Sequence, residues 1–190
     1  MSGYATAMKT AAAAHSSAVI GRRALLSAAA GLVLLSALPA RAATDRRLAL
    51  YNPHTDERFD DVYWCDGNYV DEALQRVNWL MRDFHRDQVA PIDRELIDLL
   101  RRIAERLETR RPFLILSGFR TAATNRLLRT EGFAPAAHSE HLLAKAADIR
   151  IEHVHLSHLR RAAISLKAGG VGNYPSEHFI HVDVGPVRTW

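Results

Sequence analysis

Ser139-Glu140-His141-Leu142-Leu143-Ala144-Lys145-Ala146-Ala147-Asp148-Ile149-Arg150-Ile151 is the stretch from which the rest of the chain is read. Residues 146–151 predict a strand, with Ala146, Asp148 and Arg150 on one face and Ala147, Ile149 and Ile151 on the other. His141 stands seven residues before Asp148 and arrives from the preceding loop. A second strand is predicted over Phe179–Val184, 33 residues after Asp148 at its histidine, His181. There Phe179, His181 and Asp183 share a face, while Ile180, Val182 and Val184 bury. Pairing the two strands brings Asp148 beside His181. The small residues Ala144, Ala146 and Ala147 let backbone and ligand approach closely.

Two imidazoles and one carboxylate suit a Zn²⁺ ion bound at roughly 2.0–2.2 Å per ligand, with a fourth position left for water. Three protein ligands and an open corner mark catalytic zinc, whereas a structural site closes with four. The same spacing is equally met by two partly exposed histidines and a salt-bridged aspartate.

Working outward, Arg47–Tyr51 and Arg58–Trp64 read as strands, Asn52-Pro53-His54-Thr55 as a turn and Cys65-Asp66-Gly67-Asn68 as a hairpin turn. Asp71 opens a helix in which Leu74, Val77, Leu80, Met81 and Phe84 recur at helical spacing. Pro91 opens a second, with Ile92, Leu96, Leu99, Leu100, Ile103 and Leu107 as its buried stripe. Phe113-Leu114-Ile115-Leu116 is a short apolar run ending at Ser117-Gly118, as expected of a strand buried on both faces. Thr121 caps a short helix through Arg129. Ser157–Lys167 reads as a helix stopped by Gly169-Gly170. Helical stripes followed by strands predict an α+β fold, a small, mostly antiparallel sheet packed with helices.

Composition agrees with a folded domain. The chain has 190 residues, 48% hydrophobic and 24% charged, which excludes disordered and collagen-like classes. Its net charge of +4 is regional. Residues 1–42 hold Lys9, Arg22, Arg23 and Arg41 and no carboxylate, leaving 21 basic against 21 acidic residues in the body. That balance excludes nucleic acid as a partner, since binding it needs a concentrated basic face. Residues 1–42 read as an export signal: paired Arg22-Arg23, an apolar stretch from Ala24 to Leu38, and the small-x-small pair Ala40 and Ala42. The apolar stretch is too short to remain as a membrane span after cleavage. The paired arginines resemble a twin-arginine signal, with an ordinary secretory signal as the alternative. Residues 43–190 make one domain, expected to be a monomer. Cys65 is the only cysteine, so an internal disulfide is excluded.

Ser117-Gly118-Phe119-Arg120-Thr121, then Ser139-x-His141 through Ala146-x-Asp148, then Phe179-x-His181-x-Asp183 resembles the zinc peptidase family of the D-Ala-D-Ala dipeptidases and carboxypeptidases. More closely, the chain resembles the DUF882, M15-like branch of murein endopeptidases. Leu50-Tyr51-Asn52-Pro53-His54-Thr55, Tyr63-Trp64, Pro91-Ile92-Asp93, Gly169-Gly170-Val171-Gly172-Asn173-Tyr174-Pro175 and Trp190 extend the likeness over nearly all of the body. The resemblance implies a hedgehog/D-Ala-D-Ala-peptidase-like site in which His141, Asp148 and His181 bind zinc and Arg120 faces the substrate. It implies a periplasmic peptidase acting on peptidoglycan stem peptides and their cross-links. A D,D-carboxypeptidase or dipeptidase, or a non-catalytic zinc-containing wall-binding protein, is the alternative.

Arg120 would hold the oxyanion or a substrate carboxylate; a surface or helix-capping ion pair is its plain alternative. Asp183 either orients His181 or is a structural acceptor. Two departures stand out. The family places Gly where Ala144 stands, so Ala144 is expected at negative φ. The family's positions for a general base are His178 and Phe179, so His178 by position, or Glu177 by chemistry, is the candidate, or neither. His153-x-His155-x-x-His158 reads as a solvated helix start. Tyr174 and Trp64 read as aromatic core or rim, with a substrate groove as the alternative.

Overall fold

The computed structural model describes residues 45–130 and 138–190. The export signal expected over 1–42 lies outside the described residues. Strands β1 (Arg46–Asn52) and β2 (Glu57–Cys65) form an antiparallel hairpin. A tight turn with Asp66 and Gly67 both at positive φ leads into the two-residue β3 (Asn68–Tyr69). Helices α1 (Asp71–Leu80) and α2 (Arg94–Arg106) follow, then β4 (Phe113–Ser117) and α3 (Ala122–Thr130). A 3₁₀ turn (Glu140–Leu143) precedes β5 (Ala146–Ile151), α4 (Leu156–Ser165), β6 (Gly170–Tyr174), β7 (Phe179–Asp183) and β8 (Arg188–Thr189).

The eight strands join in one mixed sheet of order β3-β2-β1-β4-β5-β7-β6-β8. β1 pairs with β4, and β6 with β8, in parallel; the other neighbours are antiparallel. The sheet is therefore larger than the small one expected. The strands missed are β3, β8 and the glycine-rich β6. Two residues carry no alternation, and glycine lacks strand propensity.

α1 packs on β2, α2 on β1 and α4, and α4 on β5, β6 and β7. The apolar stripes close onto one core in which Val77, Leu96, Leu100, Ile103, Phe59 and Ile149 are fully enclosed. Three helix ends differ from expectation; α1 stops at Leu80, short of Phe84. α2 starts not at Pro91 but at Arg94, because the Asp93 side chain accepts the Glu95 N–H at 2.9 Å and supplies the cap. α4 ends at Ser165, with Lys167 at φ 49° taking the left-handed position. Gly170 instead opens β6, where an added Cβ would collide with the Asp183 carboxylate and the Arg188 guanidinium.

Candidate metal centre

β5 and β7 pair antiparallel with Asp148 directly opposite His181. Ile149 and Ile180 turn into the core, so Asp148 and His181 share the other face. Ser117, at the end of β4, pairs with Asp148 from the other side. His141 enters from the 3₁₀ turn, whose start is capped by the Ser139 hydroxyl. Two backbone bonds lock this turn in place: Arg120 N–H to the His141 carbonyl (3.1 Å), and Asp93 N–H to the Ala144 carbonyl (3.0 Å).

Ala144, closing the turn, has φ 56° and ψ 31°. The expectation of negative φ is thus corrected. Its N–H bonds the His141 carbonyl, the following Lys145 N–H bonds the Glu140 carbonyl, and Val184 N–H bonds the Lys145 carbonyl. These bonds over-determine the left-handed conformation, which costs an L-residue roughly 1–2 kcal/mol.

The three donors expected from the sequence do converge. His141 Nε2, His181 Nδ1 and Asp148 Oδ1 lie 3.0–3.2 Å from one another. All three residues are buried. The opposite ring nitrogens show which tautomer each histidine holds. His141 Nδ1 lies 2.7 Å from the Gly118 carbonyl, which can only accept, so Nδ1 carries the proton. His181 Nε2 lies 3.0 Å from the Asp183 carboxylate, so Nε2 carries the proton. In their neutral forms the two rings would then aim two nitrogen lone pairs, beside one carboxylate oxygen, at a common point. Such an arrangement repels itself unless a cation lies between them. A tetrahedral zinc with ligands at about 2.0–2.1 Å sets its ligand atoms about 3.3–3.4 Å apart. The observed triangle fits that ion. Among the described residues it is the one group of three or more His, Cys, Asp or Glu close enough to hold a metal.

Asp183 both orients His181 and is a structural acceptor. It is fully buried, and its Oδ1 accepts the N–H groups of Gly170 and Gly185, each at 2.9 Å. Arg188 reaches its Oδ2 at 2.7 Å. Burial works against the Asp183 charge, but these bonds win and hold its carboxyl far below the usual range. Asp148 is likewise opposed by burial and held ionised by His141 and His181. Burial pushes His141 down. It opposes the His181 charge too, yet Asp148 and Asp183 outweigh it and raise His181.

Arg120 is buried and neither a surface pair nor a helix cap. Its Nη2 bonds Asp148 Oδ2 at 3.0 Å and the Ser117 hydroxyl at 3.1 Å. This leaves Asp148 Oδ1 to the imidazoles. Buried Asp83 takes the Thr121 N–H at 2.9 Å and so ties down the Arg120 loop. That role has no signal in spacing, since the two residues are 38 apart.

Glu177 and His178 lie in the exposed turn between β6 and β7. His178, at φ 60°, lines a separate cleft of about 550 Å³ with Arg150, His153 and His155. Three residues along β7 is about 10 Å, so this turn does not bring His178 to the triangle. His155 caps α4 through the Ser157 N–H, as a solvated helix start does. Trp64 lies under Arg46 on β2, away from the triangle. The Asp45 carboxylate beside Cys65 pushes its thiol up to about 11, which disfavours the thiolate.

A sheet that presents a triangle of two imidazole nitrogens and one carboxylate oxygen belongs to the class of candidate metal-dependent hydrolases. A family model described as peptidoglycan L,D-endopeptidase MepK matches residues 40–190, and the chain belongs to that family of peptidoglycan peptidases. It is 39% identical over 145 residues to the peptidoglycan L,D-endopeptidase MepK of Escherichia coli K12, covering 76% of this chain and 80% of that protein. It is 37% identical over 146 residues to the "Probable peptidoglycan L,D-endopeptidase MepK" of Haemophilus influenzae, covering 76% and 78%. No solved structure gives a significant match.

Proposed function

We propose that this chain is a zinc-dependent, periplasmic murein endopeptidase that hydrolyses peptide cross-links of peptidoglycan, including those between two diaminopimelate residues. The observation that carries the reading is the convergence of His141 Nε2, His181 Nδ1 and Asp148 Oδ1 with both outer ring nitrogens already committed. His141, Asp148 and His181 hold the ion. When bound, it supplies a water acidified toward neutrality and an electrophile for the scissile carbonyl. Asp183 keeps His181 in the tautomer that leaves Nδ1 free. Arg120, bonded to Asp148 Oδ2, orients that carboxylate and offers a fixed positive charge to the oxygen of the scissile carbonyl. His178 and Glu177 have no part in this reading, because their turn faces another cleft. Export through residues 1–42, by the twin-arginine route, delivers the monomer to its substrate. No helix among the described residues is long and apolar enough to cross a membrane.

A second reading is favoured by one observation. Among the described residues no fourth His, Cys, Asp or Glu joins the triangle, and the two base candidates of the sequence, His178 and Glu177, lie in a turn away from it. A wall-binding zinc protein without turnover would look the same. Digestion of purified cross-linked muropeptides, followed by mass spectrometry, separates the two. The zinc-loaded wild type is expected to release linear peptides, and Asp148→Ala to release none. Wall binding without any product from wild type would establish the non-catalytic reading.

A further inference from the structure

Beside the triangle, on the same sheet face, lies an aromatic pair that the mechanism above does not use. Gly172 on β6 is directly opposite His181 on β7. Trp190 lies over Gly172: an added Cβ there would fall 2.6–2.7 Å from three indole atoms. The indole meets the His181 ring, centroid to centroid, at 5.3 Å, yet Trp190 remains 47% exposed. The absence of a side chain at Gly172 is therefore what lets an indole lie against a metal-ligating histidine.

Tyr174 follows two residues after Gly172 and so shares its face. Its ring stacks on Phe179 at 4.7 Å. Its hydroxyl lies 3.0 Å from Trp190 Nε1. This bond gives the side chain a direction. The indole nitrogen sits over Gly172, opposite His181, so the Tyr174 hydroxyl leans back along the sheet toward the triangle and away from the 175–178 turn. Indole N–H can only donate. The Tyr174 oxygen therefore accepts from Trp190, and its own proton is left to donate. Tyr174 is also near enough to Arg120 to act on that charge. It is half-buried, so substrate can reach it.

We propose that Tyr174 is a catalytic residue of this site, donating its hydroxyl proton in a hydrogen bond to the oxygen of the scissile carbonyl as that oxygen gains charge, and that Trp190 is the positioning residue that aims it. The proposal rests on the peptidase reading. It adds a neutral donor to the charge of Arg120, whose guanidinium is already engaged with Asp148 and Ser117. No proton is transferred: the hydrogen bond strengthens as the carbonyl becomes tetrahedral and relaxes when the amine leaves.

The test is Tyr174→Phe, which removes one oxygen and keeps the stack on Phe179. Loss of an oxyanion donor costs roughly 10²–10³ in kcat. We expect a fall of at least about 30-fold in kcat on cross-linked muropeptide with KM within about twofold. Trp190→Phe keeps a ring over Gly172 but loses the N–H; a smaller, kcat-confined loss is expected. A second readout does not depend on turnover. A phosphinate analogue of the diaminopimelate cross-link, a tetrahedral mimic, should bind zinc-loaded Tyr174→Phe weaker by the same factor as the fall in kcat. Zinc stoichiometry and thermal midpoint should match wild type. Wild-type kcat in Tyr174→Phe, unchanged phosphinate affinity, or a change in KM alone overturns the proposal. No product from wild type, with tight phosphinate binding that is indifferent to Tyr174, overturns the peptidase reading as well.

Discussion

Asp183 shows how a carboxylate can govern a candidate metal site through the histidine it bonds. Its Oδ2 fixes the His181 proton on Nε2, while its Oδ1 is held by the Gly170 and Gly185 amides. Asp183→Asn keeps the shape but weakens the acceptor that raises His181 basicity. Zinc affinity is expected to fall 10–100-fold, read by competition with a chromophoric chelator. Ala144 makes the opposite case, a local cost accepted by the fold. At φ 56° it occupies a conformation that glycine takes without penalty. Ala144→Gly should stabilise the protein by about 0.5–1 kcal/mol, after the greater unfolded-state freedom of glycine is discounted. Urea midpoints of the two proteins would show it; a lower midpoint for Ala144→Gly would mean that the Ala144 methyl packs better than its backbone is strained.

At the scale of elements, Asp98 is what joins α2 to the first three strands. It accepts from the Tyr63 hydroxyl at 2.6 Å, the Tyr69 hydroxyl at 2.8 Å and the Arg46 guanidinium at 2.9 Å. Burial alone would raise its pKa, but Tyr63, Tyr69 and Arg46 together lower it. A carboxyl depressed on folding stabilises the protein above its unfolded pKa, near 3.9, and that stability is lost as pH falls through the folded value. Asp83 behaves alike: burial is outweighed by bonds from Thr124, Thr121 and His85. Wild type should therefore lose stability below about pH 4. Asp98→Asn should cost about 2 kcal/mol at pH 7, since Arg46 and Asp98 are partly solvated and their pairing is discounted accordingly. The difference between Asp98→Asn and wild type should shrink on acidification, as the wild-type carboxyl protonates. A pH-independent difference would place the effect in packing instead.

For the whole molecule, the triangle joins three separate parts of the chain. His141 comes from the 3₁₀ turn, Asp148 from β5 and His181 from β7. An ion bound to the folded state alone stabilises it by mass action, about 2.7 kcal/mol at a hundredfold excess over Kd. Chelation should lower the thermal midpoint reversibly, and His141→Ala should abolish the dependence on zinc. If chelation left wild type unchanged, the triangle would be a protonated hydrogen-bond cluster and no metal site.

Much of this was legible without coordinates because it rests on local rules. The alternation of Ala146–Ile151 and Phe179–Asp183 put Asp148 and His181 on polar faces, and the 3.6-residue stripes of α1 and α2 marked the core. Strand faces of period two put Asp148 and His181 together, while the choice of His141, Asp148 and His181 as a metal set came from the family resemblance. What local rules do not reach is pairing across distance. Gly170 reads as a helix stop until Asp183 is seen to need the space, and Ala144 reads as negative φ until three backbone bonds demand otherwise. His178 reads as a base until the turn after β6 carries it to another cleft. The tautomer of His141, the Arg120–Asp148 pair and the direction of the Tyr174 hydroxyl depend on partners 16 to 28 residues away. Only folding brings those partners within hydrogen-bond reach, so only the tertiary structure decides them.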